Sequence, residues 1–227
     1  MAHRQKILHL RHDRILRGVI DKVPLPDHAW HKRLTRDGHF RALVIAIINQ
    51  QLSGKAADTI QKRFEALFAK AASAKSSKSF TRKKFPIPEE VLKVPTAKLR
   101  KVGLSGMKVS FMKDLARNIL NGTVDFRAMK KWSDEEAIEH LVQVKGIGRW
   151  TAEMFLMFSL GRDDVFSYGD LGLRKAIQRL YKLKEHPTPA QAEKITTKWK
   201  PYRSLAREPL SVGELGDGAD SCSAKIA

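Results

Sequence analysis

Between Arg149 and Gly161 the chain reads RWTAEMFLMFSLG, apolar on nearly every side. A helix without a polar face needs neighbours all round it, so this segment belongs in the interior of a packed domain. The stretch from Phe40 to Ile48 is almost as apolar. Its Val and Ile would also suit a strand. It runs on in good helix formers without a turn signal before Asn49, which favours helix. Leu8, Ile15, Leu16, Val19 and Ile20 predict one N-terminal amphipathic helix closed by Pro24 and Pro26. Ala56, Ala57, Ile60, Phe64 and Leu67 predict another, and the polar NQQLSGK between it and the Phe40–Ile48 run predicts a turn. No run of alternating strands and no repeat is present. The pattern is all-α, with two helical lobes whose interiors are the apolar helices.

Further along, IPEEVLKVPTAKLRKVGLSGMKVSFMKDLARNILNG predicts two or three short helices with a glycine turn at Val102–Met107. Ser133 followed by Glu136 is a capping box and opens a helix that leads to QVKGIGRW. RDDVFSYGD is a loop, and LGLRKAIQRLYKL is amphipathic again. Pro187 and Pro189 break it, and AQAEKITTKWKPYRSLA supplies a last helical stretch. Residues 69–85 are rich in Ser, Lys and Ala and read as a flexible basic loop. Residues 207–227 carry few large apolar side chains and read as a disordered or atypical tail.

Charge narrows the function. The 227 residues hold 43 Lys and Arg against 24 Asp and Glu, a formal net charge of +19. Such a surplus points to a polyanionic partner, nucleic acid first, although excess charge also keeps proteins soluble. The one cysteine, Cys222, excludes an internal disulfide and any thiolate zinc or iron–sulfur site. The eight His show no metal-ligand spacing. No apolar run reaches the ~20 residues that span a bilayer, and the N-terminus lacks the apolar core of a secretion signal. The chain reads as soluble and intracellular, with no membrane partner.

Two stretches carry chemistry. In Lys145-Gly146-Ile147-Gly148 the glycines permit positive φ and close backbone approach. The helix beginning at Arg149–Thr151 presents unpaired N–H groups at the positive end of its dipole. Such a hairpin binds phosphate without reading sequence, or it is simply a tight helix–helix turn. Asp170 lies twenty-two residues after Gly148. A carboxylate just before a helix is an N-cap, or one facing a pocket that stabilises a cationic sugar transition state.

LVQVKGIGRWTAEMFLMFSLGRDDVFSYGDLGLRKAIQRLY closely resembles the core of the helix-hairpin-helix (HhH-GPD) DNA glycosylases, in particular the DNA-3-methyladenine glycosylase II group. FRALVIAIINQQLSGKAADTIQKRF, VGLSGMK and WKPYRSLA are similar to that group too. The resemblance implies one glycosylase unit over residues 1–206, in two α-helical lobes with a DNA-binding cleft between them. The N-terminal and C-terminal helices would form one lobe, and the central 40–165 helices the other. It implies a monomer acting on double-stranded DNA with damaged bases, in the nucleus of a eukaryote or the cytoplasm and nucleoid of a bacterium. By position, Asp170 is the catalytic carboxylate. Lys145, Gly146, Ile147, Gly148 and Thr151 hold the DNA backbone. No cofactor is required, but a monovalent cation, K+ or Na+, can sit on hairpin carbonyls. Leu52, flanked by Gln51 and Ser53, matches the side chain that wedges into the base stack, although a turn residue packing inward is the competing reading.

In bifunctional relatives a Lys follows the hairpin where this chain has Trp150, and that amine attacks the sugar. Trp cannot, so the resemblance implies a monofunctional glycosylase that excises alkylated purines such as 3-methyladenine and 7-methylguanine. Trp150 either walls the base pocket, stacking on a cationic ring, or packs in the core. Tyr168 has the same two readings. Met154 stands where some relatives carry an aromatic. Three alternatives stay open: a non-catalytic hairpin module for distorted or abasic DNA, an oxidised-base or mismatch glycosylase-lyase, and a basic RNA-binding protein. Trp150 and the lack of a four-cysteine cluster argue against the second.

Overall fold

The computed structural model describes residues 3–23, 36–73 and 85–211. Among them there are twelve α-helices, two 3-10 turns and no strand. The ambiguous LVIAII run is helical, as its neighbours predicted. The described residues divide into two compact units, those of Met1–Arg33 and Leu156–Asp220 in one and those of Leu34–Phe155 in the other.

The central unit starts with α3 (Arg36–Asn49) and α4 (Gly54–Ser73), joined by the turn expected at NQQLSGK. α5 (Pro88–Lys93), α6 (Thr96–Lys101) and α7 (Gly106–Leu120) follow, then α8 (Asp134–Val142) and α9 (Arg149–Phe158), whose residues from Leu156 on count with the other unit. α7 packs against α3, α5 and α6. Phe40, Leu43, Ile47, Ile48 and Phe64 meet Met112 and Leu115 in its interior, all at most 1% exposed. Ser133 caps α8, with the reciprocal bond from Glu136 that the capping box predicts. α4 runs through Ser73, so the first part of the predicted 69–85 loop is helix: Ala-rich sequence propagates a helix already under way. Phe85, at the other end, packs on Phe40 and Phe64, with ring centroids 6.5 and 5.8 Å away. The rest of that loop lies outside the described residues.

The other unit joins α1 (His3–Leu10) and α2 (Arg14–Ile20) to α10 (Leu171–Tyr181), α11 (Pro189–Thr196) and α12 (Arg203–Ser211). The single N-terminal helix expected from the apolar stripe is therefore two. Asp13 stops the first and caps the second, accepting the N–H groups of Ile15 and Leu16 at 3.0 and 3.3 Å. The break rotates the stripe: Leu8 and Ile15 are 52% and 42% exposed, while Leu10 and Leu16 are fully buried. The other Asp13 oxygen accepts from Trp199 Nε1 (2.7 Å), Lys198 Nζ (3.1 Å) and the Tyr181 hydroxyl. The predicted last helical stretch is likewise divided, by a 3-10 turn at Thr197–Trp199 and a cis bond before Pro201. The atypical tail begins later than Arg207. α12 continues to Ser211, burying Leu210 and an Arg207–Glu208 pair (3.4 Å) whose guanidinium lies over Phe158. Residues 212–227 of that tail lie outside the description.

Candidate functional site

The hairpin between α8 and α9 is anchored from inside by Val144 and Ile147, 1% and 3% exposed. Lys145 faces solvent, and its N–H donates to Asp114 Oδ2 on α7 at 3.0 Å. Gly146 has φ +81, and a Cβ there would lie 2.1 Å from the Phe111 ring, so the fold itself demands glycine. Gly148 is different. It is exposed, and a Cβ there would meet nothing within 4 Å. Its lack of a side chain leaves backbone open to an approaching partner at the start of α9.

The α3–α4 turn is tied to this hairpin. Gln50 Nε2 donates to the Gly146 carbonyl at 2.7 Å. Gln51 takes φ +55, and Gln51, Leu52 and Ser53 are all exposed. Leu52 is 37% exposed, against the inward-packing reading. Trp150 is 42% exposed, so it is not a core residue, whereas Met154 is 2% exposed and belongs to the interior. Thr151 is half-buried. Arg149 makes two bonds to Glu135, at 2.6 and 2.7 Å, and one to the buried Glu153 at 3.0 Å. The bonds from Arg149 hold the Glu135 carboxyl below its ordinary pKa. The α8–α9 pair is thus clamped beside the hairpin.

In the other unit, the 162–170 loop is held from α12. Arg203 grips Asp164 at 2.8 and 3.0 Å and donates to the Tyr168 hydroxyl at 2.6 Å. Burial works against the Arg203 charge, but the Asp164 carboxylate outweighs it and raises the pKa. Ser204 Oγ bonds both the N–H (2.9 Å) and the carbonyl (3.1 Å) of Val165. Tyr168 also meets Thr196 Oγ1 at 3.2 Å, so its hydroxyl serves the loop. Asp170 caps α10, Oδ1 accepting the Leu173 N–H at 3.1 Å. A Cβ on Gly172 would come 3.2 Å from that oxygen, so this glycine keeps space beside the carboxylate.

Sequence reasoning did not single out Gln50, Asp114, Arg203 or Gly172. Gln50, Arg203 and Gly172 lie in stretches similar to the family, but nothing local marks them, because each acts through a partner distant in sequence or through space it leaves empty. Among the described residues no group of three or more His, Cys, Asp or Glu is placed to hold a metal ion. The hairpin carbonyls of Val144 and Gly146 accept hydrogen bonds from the Ile147 N–H (3.0 Å) and from Gln50 Nε2 (2.7 Å).

Comparison with known proteins agrees with this architecture. Residues 44–201 match the model of the HhH-GPD superfamily base excision DNA repair proteins. DNA-3-methyladenine glycosylase 1 of Schizosaccharomyces pombe is 34% identical over 168 residues, 74% of this chain and 68% of the relative. The structure of a Schizosaccharomyces pombe 3-methyladenine DNA glycosylase in complex with abasic DNA superposes with TM-score 0.71 at 30% identity, covering 91% of this chain and 94% of that one. A DNA-3-methyladenine glycosidase of Bacillus halodurans gives 0.72 at 31% identity, covering 96% and 89%. The chain belongs to the HhH-GPD superfamily of base excision DNA repair proteins.

Proposed function

We infer that the protein is a monofunctional DNA glycosylase of base excision repair. It hydrolyses the N-glycosidic bond of alkylated purines in double-stranded DNA and leaves an abasic site. The observation that carries this reading is a capping carboxylate, Asp170, together with an exposed indole, Trp150, where a lyase needs an amine. Alkylation makes the purine a cationic leaving group. As the bond to C1′ breaks, its electron pair goes to the base and the sugar becomes oxocarbenium-like. The Asp170 carboxylate stabilises that charge. Water adds at C1′ and its proton passes to bulk solvent, the base having left neutral. Lys145, Gly146, Ile147, Gly148 and Thr151 hold the backbone, Leu52 occupies the vacated stack between Gln51 and Ser53, and Trp150 faces the cationic ring. Tyr168, two residues before Asp170, is the second aromatic assigned to the base pocket. A K+ or Na+ ion on the hairpin carbonyls would add positive charge to the backbone grip.

The protein acts as a monomer wherever the cell keeps its DNA. The Asp170 cap also suits a non-catalytic hairpin module, which would bind DNA and release nothing. The test is methylated duplex DNA incubated with the protein, with half the samples then treated with alkali and others with borohydride. Free methylpurine, strand breaks only after alkali and no trapped covalent adduct are expected. Breaks without alkali, or a trapped adduct, would make it a lyase. Tight binding without release would make it the module.

A further inference from the structure

Lys108, in the first turn of α7, directs its ammonium at the backbone of the α3–α4 turn. Its Nζ donates to the carbonyls of Ile48 and Gln50, both at 2.7 Å. The Ile48 carbonyl belongs to the last turn of α3, where helix carbonyls lack intrahelical N–H donors and the dipole is negative. Burial pushes the ammonium pKa down, while two short charge-assisted bonds favour the charged form. Gln50 then continues the chain of bonds to the Gly146 carbonyl at 2.7 Å. Phe111 and Asp114, each three residues further along α7, contact Gly146 and the Lys145 N–H. Asn118 steadies Asp114, donating to its Oδ2 at 3.3 Å. One face of α7 therefore holds both the Leu52 turn and the hairpin.

We propose that Lys108 and Gln50 are positioning residues that lock the Leu52 turn to the hairpin, so that the wedge enters the duplex in register with the backbone grip. The proposal rests on the reading of Leu52 as the wedge. Expelling a base works against pairing and stacking. An exposed side chain on a soft turn would yield to that load, and misplacement by ~1 Å costs about a hundredfold in such sites. Two backbone carbonyls held by one cation, and a glutamine fixed to a rigid hairpin, make the turn stiff.

The test is single-turnover excision of a methylpurine placed opposite its normal partner or opposite a mismatched base. The variants are Lys108→Met, Lys108→Arg, Gln50→Leu and Leu52→Ala. Lys108→Met is expected to slow excision from the matched duplex about tenfold or more, the scale of a misplaced wedge. The mismatched duplex, whose weak pair needs less force, should lose much less. Affinity for duplex with an abasic site should stay within about twofold. Lys108→Arg should restore most of the rate. Gln50→Leu should reproduce the pattern with Lys108 intact, so one unstable variant does not decide the matter. Equal losses on both duplexes, or a parallel loss of abasic-site affinity, would overturn the proposal and leave Lys108 a purely structural residue. If Leu52→Ala shows the pair-dependent loss and the other two variants do not, the lock alone fails. If Leu52→Ala shows no pair dependence, the wedge reading fails and takes the lock with it.

Discussion

Gly146 and Gly148 look alike in KGIG, yet the fold needs only the first. Gly146→Ala puts a methyl 2.1 Å from Phe111 on a backbone at φ +81. We expect about 3 kcal/mol of destabilisation, read by denaturant unfolding. Gly148→Ala meets nothing in the protein. Its stability should stay within about 0.5 kcal/mol of the parent while duplex DNA affinity falls, measured by fluorescence anisotropy. Trp150→Ala removes a side chain that is 42% exposed. Unfolding should shift by less than about 1 kcal/mol, while excision of cationic methylpurines slows more than that of neutral lesions. Both glycines were visible in the sequence as a hairpin signal. Their difference was not, because Phe111, thirty-five residues before Gly146, decides it.

Asp13 and the 162–170 loop show how elements are held. Asp13 ends α1, caps α2 and takes bonds from Tyr181, Trp199 and Lys198. Burial alone would raise its pKa, but those bonds, with the Ile15 N–H, outweigh it and hold the carboxyl below its ordinary value. A depressed carboxyl stabilises the fold fully above its unfolded value near ~3.9 and loses that contribution as pH falls through the lower folded value. Asp13→Asn should therefore cost about 2–4 kcal/mol at pH 7 and flatten the acid limb of the unfolding curve, followed by circular dichroism. The helical spacing of Leu16, Val19 and Ile20 was legible in the sequence. The break before them was not, since Asp13 looks like any polar residue on an amphipathic face until Trp199 and Tyr181 are brought to it. The Ser133–Glu136 capping box was legible because both partners lie within one turn of chain.

For the whole molecule, the +19 charge predicts binding governed by phosphate contacts. Affinity for undamaged duplex should fall about a hundredfold or more between 50 and 200 mM salt if roughly four or more phosphates are neutralised. Fold class followed from apolar spacing alone. The carboxylate at position 170 was picked out by the resemblance of its stretch to the helix-hairpin-helix glycosylases, since spacing alone left it a plain N-cap, and what holds its loop from α12 could not be read, because Arg203 and Ser204 reach the loop from some forty residues away. The central claim is that Asp170 does chemistry as well as capping α10. It is tested most directly by single-turnover release of methylpurine by the intact protein and by Asp170→Asn, with DNA affinity and unfolding measured on the same samples. Asparagine can still cap the helix, so the account predicts a variant that folds and binds DNA but loses at least about a hundredfold in release rate. Release by Asp170→Asn at the parent rate would contradict it.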